Sequence, residues 1–166
     1  MDETARARLT AFAELLKSWN KAFNLVSRRD INRLQTRHID DALRLLPRLT
    51  LPGRLLDIGS GGGLPGLVLA IAEPTRPVAL LDRSERKCRL LTQAVAELGV
   101  ANVVVVCEDA ASYVPSELYT YVVSRAVAPV DTVWKWAEPM LEKQGRMLHM
   151  TGNAEITVRG GTCKRV

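Results

Sequence analysis

The sequence predicts an α/β fold in which helices cover both faces of a parallel sheet. Short apolar runs alternate with helical patterns after residue 53. The runs lie at residues 55–58, 78–81, 103–107, 121–124 and 146–150, and the helical patterns at about 65–72, 85–98 and 131–142. This alternation is typical of parallel sheets, whose crossover connections place helices on the two faces.

The region before the first strand is predicted to be helical. One apolar stripe recurs at steps of three and four residues, as on a single helix face, and consists of Leu9, Phe12, Leu16, Trp19 and Phe23. A second helix is expected to begin at Asp30, whose carboxylate can cap free N–H groups, and to end near Pro47. In the helical pattern at 85–98, Ser84 is a candidate N-cap, and Gly99 stands where a helix end favours a left-handed residue.

Composition indicates one globular domain with a substantial core, since the 166 residues are 47% hydrophobic and 25% charged. No apolar run approaches the roughly 20 residues of a membrane span, and the N-terminus carries no signal-like stretch. We therefore expect a cytoplasmic protein. The sequence leaves the oligomeric state open.

The positive charge is concentrated in the first third of the chain. Residues 1–54 hold 11 Lys and Arg against 6 Asp and Glu, whereas residues 55–166 hold 12 of each kind. A basic face suits a polyanion such as RNA, because neutralising phosphates releases counterions. Four arginines lie within ten residues: Arg28, Arg29, Arg33 and Arg37. We expect them to contact RNA, and an ordinary solvated helix face is the alternative.

The loop after the first strand is the strongest functional signal. The segment "LLDIGSGGGLPG", residues 55–66, carries five glycines between an apolar strand and an apolar helix. Glycines are retained where the backbone needs a positive φ or where a ligand approaches it closely. From Gly61 the loop matches the dinucleotide pattern G-x-G-x-x-G, so a nicotinamide-dependent oxidoreductase is one hypothesis. From Asp57 it reads D-x-G-x-G-x-G, which suits S-adenosylmethionine better, because that cofactor offers an ammonium group to a carboxylate.

Five segments together resemble a known family. They are "NLVS" (24–27), "RHIDDAL" (37–43), "DIGSGGGLPG" (57–66), "LLDRSERK" (80–87) and "SRAVA" (124–128). The chain is similar, from about residue 10 to residue 152, to the bacterial small-subunit (16S) ribosomal RNA guanosine-N7 methyltransferases, once called glucose-inhibited division protein B. The resemblance implies a class I, Rossmann-like methyltransferase sheet that follows a small helical region. It also implies S-adenosylmethionine as cofactor and ribosomal RNA, or the small ribosomal subunit, as partner.

The resemblance places cofactor contacts on Gly59, Leu64, Ala110, Ala111 and Arg125. Gly61 and Asp82 follow from the general fold, since Asp82 ends the second strand and can accept hydrogen bonds from ribose hydroxyls. The expected division of the chain is a basic helical region at 1–52, a methyltransferase core at 53–152 and a short tail at 153–166.

The tail differs from the family pattern, in which several tens of residues form an antiparallel pair that completes the sheet. Only "AEITVRGGTCKRV" remains here, so we expect truncated C-terminal strands and an uncovered sheet edge. This difference supports an alternative function, an inactive RNA-binding remnant of the family.

The expected chemistry needs no catalytic base, because N7 of guanine carries a lone pair and no proton. Catalysis then comes from holding the two reactants in place, which can contribute roughly 7–11 kcal/mol. No catalytic residue is assigned, and Arg125 is expected to position a reactant. His38 and Asp41 are three residues apart and can contact each other. They are expected either to face the RNA or to tie the helical region to the sheet.

The cysteines indicate neither a metal site nor a disulfide framework. Cys88, Cys107 and Cys163 are widely spaced and form no C-x-x-C pair. Cys107 ends an apolar run and is expected to pack in the core rather than to act as a nucleophile.

Overall fold

The computed structural model describes residues 1–23, 38–151 and 155–160. Its helices are α1 (Glu3–Phe23), α2 (Asp40–Leu43), α3 (Gly66–Ala72), α4 (Glu85–Glu97) and α5 (Val130–Ala137). Its strands are β1 (Leu55–Ile58), β2 (Val78–Leu81), β3 (Val103–Val106), β4 (Tyr119–Arg125), β5 (Leu141–Met150) and β6 (Ile156–Gly160). The predicted Asp30 cap, the four clustered arginines Arg28, Arg29, Arg33 and Arg37, and Cys163 lie outside the described residues.

The strands form one sheet in the order β3-β2-β1-β4-β5-β6. All neighbours pair in parallel except β5 and β6, which are antiparallel. The predicted parallel sheet is therefore confirmed. Each residue of β1 and β2 is buried, as expected for strands with helices on both faces.

The two faces of the sheet have separate hydrophobic cores. On one face, Leu55 and Val123 pack with residues of α1, α3 and α4. On the other, Leu56 and Val122 pack with residues of α5. The predicted α1 stripe faces the first core, where Leu9, Phe12 and Leu16 are buried. Because successive side chains of a strand point to opposite faces of the sheet, neighbouring strand residues pack against different helices.

Helix boundaries differ from expectation at two prolines. The helix expected over 131–142 ends at Ala137, a 3-10 turn covers Glu138–Met140, and β5 already begins at Leu141. Pro139 lacks the N–H that a continuing α-helix would need. In the described part of the second predicted helix, α2 is only one turn long, and Pro47 lies inside a 3-10 turn, Leu46–Arg48, instead of ending a helix.

The C-terminal segment contributes a strand to the sheet. β6 pairs with β5 from Met150–Ile156 to Arg146–Gly160. The edge of β5 that we expected to be uncovered is therefore covered, because "ITVRG" is rich enough in β-branched residues to extend the sheet. Among the described residues, no helix is both long and apolar enough to cross a membrane.

Arg76 anchors the chain segment that enters β1. Its guanidinium donates hydrogen bonds to the carbonyl oxygens of Leu49, Leu51 and Gly53, at 2.9–3.2 Å. It also pairs with Glu73 at 2.5 Å, and its Cζ atom lies over the ring of Tyr121, 5.4 Å from the centroid. Arg76 is 9% exposed, so these contacts compensate a buried charge.

Candidate cofactor cleft

A cleft of about 660 Å³ opens at the carboxyl ends of the parallel strands. It lies where β1 has β2 on one side and β4 on the other, so that successive connections run in opposite directions. Ligands of open α/β sheets bind at such a reversal of strand order. The volume is within the range of roughly 300–1,000 Å³ that is usual for small-molecule sites.

The cleft wall contains every cofactor residue predicted from the sequence. These are Gly59, Gly61, Leu64, Asp82, Ala110, Ala111 and Arg125. They come from four separate segments of the chain. Three segments follow the ends of β1, β2 and β3, and the fourth position, Arg125, is the last residue of β4. The fold thus brings together residues that are up to 66 positions apart in sequence, from Gly59 to Arg125.

The glycines of the loop meet different constraints. Gly59 has a φ of +71°, and a Cβ there would lie 2.3 Å from Val127 Cγ2. Gly61 has a φ of +56°, but a Cβ there would meet no protein atom closer than 3.8 Å, the Gly59 carbonyl oxygen. Gly59 is therefore required for packing, whereas Gly61 leaves open space beside the cleft.

Asp82 organises the loop as well as lining the cleft. Its Oδ2 accepts a hydrogen bond from the Gly61 N–H and its Oδ1 from the Ser84 N–H, both at 2.9 Å. The Lys87 ammonium lies 3.8 Å from Oδ2. Ser84 is the N-cap of α4 as predicted, but its side chain makes no capping hydrogen bond. The Ser84 N–H donates to the Asp82 carboxylate. Each carboxylate oxygen can accept more than one hydrogen bond, so Asp82 can also accept hydrogen bonds from a ligand.

Asp57 lies beneath the loop and is not part of the cleft wall. Its Oδ2 accepts a hydrogen bond from the Gly66 N–H at 2.9 Å, which ties the end of β1 to the start of α3. Its Oδ1 is buried and has no hydrogen-bond partner among the described residues. Burial raises the pKa of Asp57 to about 7, although the Gly66 N–H favours the ionised form. Asp57 therefore supports the loop from below.

Arg125 connects the cleft to the helical region. Its guanidinium donates to Nδ1 of His38 across 2.9 Å. Asp41 instead pairs with Arg44 at 3.5 Å. Of the two roles considered for His38, the structure supports a tie between the helical region and the sheet. The residue after Arg125, Ala126, has a φ of +53°, a left-handed conformation that is uncommon for a residue with a Cβ.

The sequence reasoning missed several residues of the cleft wall. They include Arg83, Lys87, Glu108, Asp109, Val127 and Trp136. Four of them, Arg83, Glu108, Asp109 and Val127, lie two or three residues after the ends of β2, β3 or β4, so their positions after predicted parallel strands were a usable signal. Trp136 comes from α5, and no local pattern marks that helix as part of the site.

The structure places the two described cysteines in different environments. Cys88 is buried, but Cys107 is exposed, so the prediction of a core position for Cys107 is wrong. Cys107 follows β3, an edge strand, where the side chain after the last paired residue reaches solvent. Within residues 1–23, 38–151 and 155–160, no three His, Cys, Asp or Glu side chains group as metal ligands.

The strand order and the glycine loop define the fold of the class I S-adenosylmethionine-dependent methyltransferases. A methyltransferase of this class described as putative, from Methanococcus maripaludis, superposes with a TM-score of 0.61 at 18% identity, covering 84% of this chain and 62% of that one. A second, from Thiobacillus denitrificans in complex with S-adenosylhomocysteine, superposes with a TM-score of 0.56 at 23% identity, covering 75% and 55%.

Residues 5–158 match the model of the family described as rRNA small subunit methyltransferase G, and the chain belongs to that family. Proteins named ribosomal RNA small subunit methyltransferase G are similar to it. The one from Hydrogenovibrio crunogenus is 44% identical over 87% of this chain and 66% of its own length. The one from Gluconobacter oxydans is 41% identical over 90% and 78%, respectively. The chain therefore spans about two thirds to three quarters of these relatives.

Proposed function

We propose that this protein transfers the methyl group of S-adenosylmethionine to N7 of a guanosine in 16S ribosomal RNA, in the cytoplasm. One observation carries the proposal. Seven residues named from the sequence as cofactor ligands line a single cleft at the strand ends of a methyltransferase fold. The names of the relatives supply the RNA substrate.

The cleft offers distinct groups to the parts of the cofactor. Open space beside Gly61 lets the methionine end approach the backbone. The Asp82 carboxylate accepts hydrogen bonds from the ribose hydroxyls. Ala110 and Ala111, after β3, lie against the adenine. Small side chains at these two positions leave room for a planar ring.

The reaction requires positioning rather than proton transfer. The N7 lone pair attacks the methyl carbon as the carbon–sulfur bond breaks, so the sulfonium becomes a neutral thioether and the purine gains the positive charge. No proton moves. Holding the nucleophile and the methyl group in line then supplies the catalysis. A bare cation beside the purine would oppose this charge shift. The Arg125 guanidinium, which lines the cleft, is instead held by its hydrogen bond to His38.

The helical region is proposed to bind the RNA. Residues 1–52 form the basic region of our division of the chain, and Arg28, Arg29, Arg33 and Arg37 are its proposed phosphate contacts. Residues 53–152 form the methyltransferase core, with 153–166 as the tail. This proposal is supported by His38, the residue that follows Arg37 in the chain, which contacts the cleft residue Arg125 at 2.9 Å.

Methyl transfer from labelled S-adenosylmethionine tests the function. The full chain is incubated with assembled small subunits and, separately, with naked 16S rRNA, and the modified base is mapped. We expect label at guanine N7 in at least one substrate. RNA binding without transfer from a protein that binds S-adenosylhomocysteine would support the inactive remnant instead.

A thermal protection assay separates the two cofactor hypotheses. A ligand at 100 times its Kd adds about 2.7 kcal/mol to the free energy of unfolding. We expect protection by S-adenosylhomocysteine and none by NAD. Protection by NAD alone would favour the oxidoreductase.

A further inference from the structure

The end of α4 that adjoins the cleft carries a dense group of cations. Residues 83–89, "RSERKCR", contain four basic side chains and a single acid, Glu85, whereas residues 90–97 contain no Lys or Arg. The four basic residues, here called the α4 cationic patch, are Arg83, Arg86, Lys87 and Arg89. Arg83 and Lys87 also line the cleft. The patch therefore begins at the cleft wall and continues along the helix.

This distribution of charge is opposite to the one that stabilises a helix. The N-terminus of a helix carries a partial positive charge and the C-terminus a partial negative charge, so acids favour the first turn and bases the last. In α4, Arg86 and Lys87 directly follow the single acid of the first turn, while the last turn has no base and ends in Glu97. Helix stability therefore does not explain these cations, and local rules of this kind are broken mainly at functional sites.

The ion pairs of the patch leave its arginines available to another anion. The Arg89 guanidinium lies 3.6 Å from the Glu85 carboxylate, and the two side chains are 77% and 84% exposed, respectively. Arg83 lies 3.7 Å from Asp109 and is 82% exposed. Exposed pairs contribute little to stability, because water screens them and two long side chains must be ordered. A phosphate can therefore replace the carboxylate at small cost.

The two arginines outside the cleft lie on one face of α4. Arg86 and Arg89 are three residues apart, so their side chains are neighbours on the helix surface. The other side of the helix is in the core, where Cys88 and Leu91 are buried. The Arg86 guanidinium lies over the ring of Phe23, 5.1 Å from the centroid. Stacking on the ring orders this arginine and leaves its in-plane N–H groups able to donate to an anion.

We propose that the α4 cationic patch contacts the phosphates that flank the target guanosine in the RNA. This role rests on the proposed function, because a guanosine whose N7 enters the cleft brings its own sugar-phosphate backbone to the cleft mouth. Three of the four cations in the patch are arginines. A guanidinium can donate two parallel hydrogen bonds to one phosphate, which an ammonium group cannot do. Such contacts position the RNA without reading its sequence.

Arg86→Gln combined with Arg89→Gln tests the patch, since neither side chain is part of the cleft wall. The control is Lys143→Gln with Arg146→Gln, which removes two exposed charges toward the amino end of β5, whereas the cleft lies at the carboxyl ends of the strands. Binding of naked 16S rRNA and of poly(U) is measured at several salt concentrations. For the α4 variant we expect weaker binding of both RNAs and a salt slope smaller by roughly 0.7–0.9 per lost contact. The control should keep the wild-type slope and affinity.

An unchanged slope and affinity in the α4 variant would overturn the proposal. An equal loss in the control would also overturn it, because the effect would then follow net charge alone. Vesicles that contain phosphatidylserine test a membrane surface as the alternative partner. If the α4 variant loses vesicle binding and keeps RNA binding, the patch belongs to an anionic membrane and not to RNA.

Thermal unfolding separates RNA binding from a structural role. Arg89→Gln alone should keep the wild-type melting temperature, because the ion pair that it removes is exposed. A marked loss of stability would assign Arg89 to the helix itself and would count against the proposal. If the wild-type protein transfers no methyl group to RNA, the proposed function fails, and the salt slopes still decide whether the patch binds phosphates.

Discussion

His38 and Arg125 meet across 2.9 Å although 87 positions separate them in the chain. Arginine stays protonated and can only donate, so Nδ1 of His38 must be the acceptor. A residue of the N-terminal region thereby sets the orientation of a guanidinium that lines the cleft.

Replacing His38 with Ala should weaken binding of S-adenosylhomocysteine. A hydrogen bond to a charged group contributes roughly 1.5–3 kcal/mol, which is about tenfold or more in Kd if Arg125 loses its position. His38→Asn should retain more affinity, because its amide oxygen can accept near the position of Nδ1. Asp41→Asn is the control, since Asp41 pairs with Arg44 away from Arg125. Calorimetry that gives equal Kd values for His38→Ala and Asp41→Asn would contradict this role.

Gly61→Val should remove cofactor binding and leave a folded protein. A side chain there meets open space in the protein, with strain of roughly 1–2 kcal/mol from the positive φ, and it occupies the cleft instead. Gly66→Ala is the contrasting variant, because its Cβ would lie 2.5 Å from Leu80 Cδ2 and 2.6 Å from the Asp57 carboxylate. It should lower the melting temperature strongly. The pair of measurements is calorimetry for affinity and thermal unfolding for stability. An unchanged Kd for Gly61→Val would refute the assignment of the loop.

The ionisation of Asp57 should make stability depend on pH. Burial raises its pKa from 3.8 to about 7, so the folded state binds the proton more tightly than the unfolded state does. The stability from this group is complete below pH 3.8 and is lost as pH rises through about 7. The full shift corresponds to roughly 4 kcal/mol.

Asp57→Asn tests this dependence, because the amide oxygen still accepts from the Gly66 N–H without ionising. Between about pH 5 and pH 8, wild-type stability should fall relative to that of the variant by roughly 2.7 kcal/mol, because about two pH units separate the start of this range from the folded-state pKa of about 7. Urea unfolding of both proteins without ligand at several pH values measures the difference. Parallel stability curves would show that Asp57 is ionised throughout this range.

Replacing Arg33 and Arg37 with Gln tests the proposed RNA contacts. If both neutralise phosphates, RNA affinity should fall for all sequences, and the salt slope should decrease by roughly 0.7–0.9 per lost contact. S-adenosylhomocysteine affinity is the control and should not change. An unchanged slope with unchanged RNA affinity would identify these arginines as an ordinary solvated surface.

Local sequence patterns were enough to predict the elements that are bounded by proline, glycine or aspartate residues. The limits of β1 and β2 match the apolar runs, because Pro52-Gly53 and Pro77 precede them and the glycine loop and Asp82 follow. Gly99 adopts the expected left-handed conformation, with a φ of +61°. The cleft residues were predictable for the same reason, since most follow the ends of parallel strands.

Features that depend on tertiary contacts were not visible in the sequence. The segment from Glu142 to Gly145 is polar and resembles a turn, and although it lies within β5 it falls between the paired residues Leu141 and Arg146, where the register with β4 shifts. The contact of His38 with Arg125 joins distant positions of the chain. Position in the sheet also determines the exposure of Cys107, whose place at the end of an apolar run predicted burial.

The hydrogen bonds of the buried Arg76 affect how the protein unfolds. Its guanidinium holds the carbonyl groups of Leu49, Leu51 and Gly53, where the helical region joins the sheet. Three backbone carbonyls of the junction are thus hydrogen-bonded to one buried side chain, and α1 packs in the same hydrophobic cluster as the strands. We expect a single cooperative unfolding transition, in which limited proteolysis at residues 49–53 does not release the helical region as an independent fragment.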